Sequence, residues 1–235
     1  MDLEANLIKE DTQNNLIIEC LEETQAKFIL KVYTLLSIQL LITWTMSLAF
    51  YMSNTLTQFV LHTPSLLFTS VIFTFILLFL SFCYGTIHPY NYIILFSFTI
   101  CESYLVAYVC LFYQPTSILL AWGMTASIFI FLTLYVLITK KNFDFLQAGL
   151  YSSLWILIIG GFIQTIFLPK DQLVNTLFAV FGAIIACGYI LYDTSVMLRK
   201  LTPDDFVFAC LNLYLDIIML FLRLLELFGK ERNVS

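Results

Sequence analysis

The sequence predicts an all-α polytopic membrane protein with seven transmembrane helices, and three observations carry that prediction. Only 11% of the 235 residues are charged and 60% are hydrophobic, whereas a soluble domain carries about 25% charged residues. Mean hydropathy is +0.91, so too little polar surface exists to cover a water-soluble globule. Between Lys31 and Glu102 there is no Lys, Arg, Asp or Glu, and one helical crossing takes about 20 apolar residues. With 8 Gly and 5 Pro beside 23 Phe and 13 Tyr, disordered, collagen-like and low-complexity classes are excluded.

Three regions follow in order. Residues 1–27 form an acidic N-terminal tail, 28–229 the seven-helix membrane domain and 230–235 a short C-terminal tail. The tail reads as a solvated leader: seven acids (Asp2, Glu4, Glu10, Asp11, Glu19, Glu22, Glu23) face a single Lys9 within residues 1–26. Most of the net charge of −5 is therefore local, and an acidic tail speaks against nucleic acid or anionic lipid as a partner. His62–Pro64 and Gly85–Pro89 divide the long uncharged stretch into spans at 32–52, 65–86 and 90–112. Pro115 separates a fourth, 117–138, which ends at Lys140 and Lys141. A fifth runs 146–168 and stops at Pro169, Lys170 and Asp171. A sixth covers 174–196, and Arg199, Lys200, Thr202 and Pro203 turn the chain into the seventh, 206–228.

Orientation follows from the Lys/Arg bias of short loops. With the amino terminus in the cytosol, the inner side holds Lys27, Lys31, Lys140, Lys141, Arg199 and Lys200, and the outer loops only Lys170. Seven full crossings leave Lys230 and Arg232 outside, whereas a re-entrant last segment keeps them inside; its 23-residue length favours a full span. Asn233-Val234-Ser235 matches a glycosylation sequon but lies at the extreme end. The amino terminus lacks a cleavable signal pattern, so the first apolar run is expected to act as an uncleaved anchor.

Cys20, Cys83, Cys101, Cys110, Cys187 and Cys210 form no C-x-x-C or metal-type spacing, and the two His lie outside the apolar cores. They read as small apolar residues rather than a disulfide or transition-metal framework. Ala179, Gly182, Ala183 and Ala186 give small-xxx-small spacing in the sixth span, as Gly160 and Gly161 do in the fifth. Such spacing permits close helix approach, and the sixth span reads as an inner helix.

A charge near the bilayer centre costs roughly 2.5–3.5 kcal/mol on insertion scales, so it should face a cavity or a partner. Arg223 and Glu226, at i,i+3 near the end of the seventh span, can pair and snorkel as a structural ion pair. Asp193 lies six residues before Arg199, roughly 9 Å of rise, and Asp216 ten past Phe206, roughly 15 Å. A short turn joins the two spans, so the carboxylates reach similar depth. If they face one another they cannot both ionise cheaply, and they share a proton. Doubly ionised, they suit a hard cation such as Ca²⁺; two separately satisfied carboxylates are the alternative. Glu102 sits mid-way along the third span among polar neighbours. Asp204 and Asp205 precede the seventh span, where acids cap a helix or form an acidic mouth for a cation path.

Tyr192-Asp193-Thr194, LTPDDFVFACLNLYLDIIMLFLRLLELF (201–228) and HPYNYIILFSFTICES (88–103) resemble the signature of the Bax-inhibitor/lifeguard family. The LTPDDF…LNLYLDII stretch is most similar to its Golgi anti-apoptotic branch, which has viral and cellular members. The resemblance covers the chain after residue 27 and is most specific in the last 45 residues. It implies a seven-helix bundle with the C-terminal helix central. It also implies a Ca²⁺ leak channel of Golgi or endoplasmic reticulum stores that lowers stored Ca²⁺ and inhibits apoptosis, with Ca²⁺ as permeant ion and no cofactor. Asp193 and Asp216 fall on the family's pH-sensing pair, and Asp204 on an acidic residue implicated in ion passage. Bacterial relatives carry a second-span Arg that latches the aspartates. Residues 65–86 contain no charge, so that latch arginine has no counterpart in this span.

Other classes fit less well. An intramembrane aspartyl protease needs a Gly-x-Gly-Asp setting, but Asn212, Leu213, Tyr214 and Leu215 precede Asp216, and no Pro-Ala-Leu element is present. A rhodopsin needs a Schiff-base Lys, and the seventh span has none before Lys230. The chain is read as a non-enzyme. A non-conducting scaffold for apoptosis regulators, a self-oligomer and a proton-coupled cation exchanger remain open alternatives.

Overall fold

The computed structural model describes residues 2–167 and 172–232, with backbone alone for 2–22 and 165. These residues form eight α-helices: α1 (Asp2–Met52), α2 (Asn54–His62), α3 (Pro64–Tyr84), α4 (Tyr90–Cys110), α5 (Pro115–Thr139), α6 (Gln147–Phe167), α7 (Gln172–Arg199) and α8 (Phe206–Phe228). Seven are long and apolar enough to cross a membrane, α1 through its Glu23–Met52 portion. The fifth-span stop at Pro169, Lys170 and Asp171 and the Asn233 sequon lie outside the described residues.

Local chemistry sets the boundaries. Pro64 and Pro115 open α3 and α5 at their first turn, where a missing N–H costs nothing. Lys140, at φ 49°, closes α5 in the left-handed conformation. Pro203 opens a 3₁₀ turn before α8 in which Thr202 N and Oγ1 both donate to Asp205 Oδ2, at 3.0 and 2.6 Å. Two features depart from expectation. The acidic leader is helical from Asp2 and continuous with the first span, because no Pro or Gly precedes Pro64. The segment before Pro64 is the separate helix α2, started by Ser53, whose Oγ accepts from Leu56 N at 3.4 Å.

The bundle is wrapped around α8. Fourteen of its 23 residues are buried, and α7, α5, α1, α4 and α3 all pack on it. By contrast α3 buries none of its residues and leans on α4. Within α7 the small residues Ala179, Gly182 and Ala186 are buried. In α6, Gly160 and Gly161 pack against the Phe178 ring, where a Cβ on Gly160 would come within 2.9 Å.

One end of the bundle is basic: Arg199 Nη2 donates to the Lys140 carbonyl at 2.8 Å, Lys200 pairs with Asp144 at 2.8 Å, and Gln25 Nε2 donates to the Leu198 carbonyl. At this end Lys31 Nζ also stands 3.3 Å from the Phe206 ring centroid. Lys230 and Arg232 are at the other end. Gln114 N donates to Lys230 O at 2.9 Å, Arg232 N to Phe112 O at 2.8 Å, and the Arg232 guanidinium covers Tyr51. The last helix thus runs unbroken from the basic end to the other end of the bundle.

Buried hydroxyls stitch α8 to two parallel neighbours. Gln39 Nε2 donates to Thr99 Oγ1 at 2.9 Å, and one turn on Thr43 meets Ser103 at the same sixty-residue offset. With its own proton on the Gln39 carbonyl at 2.9 Å, Thr43 Oγ1 accepts from Ser103 Oγ at 2.9 Å and Tyr214 Oη at 2.8 Å. Thr43→Val keeps the shape and strips this hub. The variant is expected to lose about 1–2 kcal/mol in detergent unfolding titrations; a loss indistinguishable from zero means that packing alone holds α1, α4 and α8.

Candidate functional site

The site is built where α7 and α8 face one another. The 200–205 turn makes them an antiparallel hairpin, and the Thr202–Asp205 box fixes where α8 starts. Asp193 of α7 and Asp216 of α8 then meet, their carboxyl groups hydrogen-bond partners. Asp216 is only 6% exposed and its Oδ2 has no donor among the described residues; Asp193 is half-buried. Two acceptor-only carboxylates cannot hydrogen-bond each other, so the contact closes only when one of them carries a proton. The nearby Tyr189 hydroxyl is already spent on the Leu150 carbonyl at 2.8 Å.

No basic side chain among the described residues neutralises this pair. The ion pairs among the described residues are Lys27–Glu23, Lys200–Asp144 and Arg223–Glu226. Releasing the shared proton therefore leaves bare negative charge inside the bundle, in carboxylate oxygens that suit a hard cation. No group of three or more His, Cys, Asp or Glu gathers among the described residues. Two carboxylates supply at most four of the six to eight oxygen ligands that Ca²⁺ takes, so the rest would have to come from water or backbone.

The other residues singled out by sequence stand apart. Glu102 is half-buried on α4, without ion pair or side-chain hydrogen bond among the described residues, within electrostatic reach of Tyr214. Asp205 is taken up by its cap, and Asp204 is exposed at the basic end. Arg223 and Glu226 form their ion pair at 2.9 Å, near the far end. Burial, with Glu226 and Glu231 beside it, pushes the Tyr113 phenol up. The cleft of about 590 Å³ between α1 and α5, lined by Leu40, Trp44, Trp122, Phe129 and Ile217, is apolar and includes neither aspartate.

Sequence reasoning treated Gly182 as a packing residue. In the structure it also makes room for Arg223: a Cβ there would meet Arg223 Nε at 2.6 Å and Cδ at 2.8 Å. The signal was faint but present, since Gly182 lies seventeen residues before Arg199 and Arg223 seventeen after Phe206, which is equal depth in a hairpin. Nothing in the sequence marked Thr43 as the hydroxyl hub, because Thr is ordinary in a membrane helix.

Residues 25–233 match the family model described as inhibitor of apoptosis-promoting Bax1. Protein lifeguard 4 of Mus musculus is 38% identical over 199 residues, covering 85% of this chain and 83% of that protein. The Golgi anti-apoptotic protein of Vaccinia virus (strain Lister) is 38% identical over 200 residues, 85% and 84%. Bax inhibitor 1 of Schizosaccharomyces pombe is 34% identical over 217 residues, 92% and 81%.

Proposed function

The chain belongs to the Bax-inhibitor family, and from that premise we propose that it is a pH-sensitive Ca²⁺ leak of intracellular stores. Membership makes it an anti-apoptotic membrane protein; the leak is how it acts, by lowering stored Ca²⁺. The observation that supports this is the Asp193–Asp216 pair between α7 and the most buried helix, with no basic partner among the described residues. With one shared proton the pair is closed by its hydrogen bond and carries a single negative charge, and with two protons it is neutral. Each proton released adds one negative charge, so the site attracts Ca²⁺ more strongly as pH rises. The similarity to a Golgi anti-apoptotic protein supports residence in the Golgi, with endoplasmic reticulum as the other store. Six basic residues at one end (Lys27, Lys31, Lys140, Lys141, Arg199, Lys200) support that end, and with it the amino terminus, in the cytosol.

The test is Ca²⁺ flux by the purified chain in liposomes across pH. Flux should appear and rise with pH. A scaffold for apoptosis regulators gives protection in cells with no flux, and a proton-coupled exchanger gives Ca²⁺ movement only against a proton gradient. Asp193→Asn removes one of the two groups that share the proton. It is expected to flatten the pH profile, and a profile unchanged from wild type removes Asp193 from the sensor.

A further inference from the structure

A cation that reaches the aspartates from the basic end has further to travel along α7 and α8, where the groove that the missing Cβ of Gly182 leaves between them is filled by Arg223. Arg223 lies seven residues past Asp216, two turns and about 10.5 Å along the same face of α8. On α7, Gly182 lies eleven residues before Asp193, three turns away and again on the same face. The guanidinium stands in the space that Gly182 leaves open, 5.1 Å from the centre of the Phe178 ring. Its one counter-charge among the described residues is Glu226, 2.9 Å away towards the far end; what faces it from α7 is glycine and an aromatic ring. Both charges are partly screened from outside, their side chains 24% and 31% exposed.

We propose that Arg223 is the rate-limiting and selecting residue of the α7/α8 groove, a fixed positive charge beyond the aspartates that holds back divalent cations more than monovalent ones. This rests on the leak reading of the Asp193–Asp216 site. Coulomb repulsion scales with the charge of the passing ion, so Ca²⁺ feels the guanidinium twice as strongly as K⁺ does. Glu226 offsets part of that repulsion, and the arginine sets how much remains. A snorkelling ion pair with no role in passage makes the opposite forecast, since neither partner then affects flux.

The two roles separate in liposomes loaded with Ca²⁺ and K⁺ indicators. Arg223→Gln is expected to raise Ca²⁺ flux about tenfold and to raise the Ca²⁺:K⁺ ratio. Glu226→Gln, which leaves the guanidinium without its counter-charge, should lower both. Arg223→Lys keeps the charge and should stay near wild type. Gly182→Ala leaves every charge in place and displaces the arginine from the groove. It should raise Ca²⁺ flux, and it should add nothing in an Arg223→Gln background. Arg223→Gln and Glu226→Gln moving flux in the same direction, or neither moving it, overturns the barrier. If Asp216→Asn still silences flux in that case, the leak stands and only the barrier falls. A wild type that passes no Ca²⁺ overturns both.

Discussion

Asp216→Asn is expected to cut Ca²⁺ flux at least tenfold while leaving the protein as stable as wild type or slightly more so. The two halves of that result come from the same physics. Asp216 is buried beside a second carboxyl group, and its Oδ2 has no donor among the described residues. An ionised carboxylate in such a place is costly, so the folded protein gains nothing from its charge. Asparagine keeps the shape and donates an N–H to Asp193, which replaces the shared-proton bond by one that needs no proton. Stability is therefore preserved. Function is not, because the amide cannot ionise, and the site can never carry more than the single charge of Asp193. The attraction for a divalent cation is at least halved, and at the low effective dielectric of a bundle interior that exceeds the energy of a tenfold change. Flux traces in liposomes and a thermal melt of the same preparation check both halves. Wild-type flux from a well-folded Asp216→Asn protein removes the aspartate from the path.

Where the chain turns was legible because those signals are local. Pro64, Gly85–Pro89, Pro115, Lys140–Lys141 and Pro203 interrupt apolar runs, and the helices end within a few residues of them. The aspartates were legible for the opposite reason, since a costly residue persisting in an apolar run stands out. Which face of each helix is buried was not legible. In water, a helix shows its core face as a stripe of apolar residues against a polar background. In lipid the background is as apolar as the core, so the stripe vanishes. Phe79 on α3 and Phe221 on α8 look alike in sequence, yet one is 68% exposed and the other fully buried. The family resemblance, not periodicity, made α8 the central helix. Contacts such as Arg223 over Gly182 and Thr43 under Tyr214 depend on how helices are rotated about their axes, which no spacing within one helix encodes.

That indistinguishable pair supplies the sharpest packing experiment. Phe221 is fully buried and stacks on Trp122 of α5, ring centroids 4.3 Å apart and planes 23° from parallel. Removing its ring opens a hole between α5 and α8 that lipid tails cannot reach, so Phe221→Ala is expected to cost about 3–5 kcal/mol. Phe79 faces outward, where an acyl chain fills the space that its ring leaves. Nearly all the lost dispersion is recovered there, and Phe79→Ala should cost under about 1 kcal/mol. The two substitutions delete the same atoms from helices of nearly equal length, 21 and 23 residues, so any difference reports position alone. Reversible unfolding in mixed micelles measures both. Equal costs would place α8 no deeper in the bundle than α3. A cost concentrated at Phe221 instead makes the helix that carries Asp216 and Arg223 the rigid member, held from α5 at one level and from α1 and α4 through Tyr214 at another.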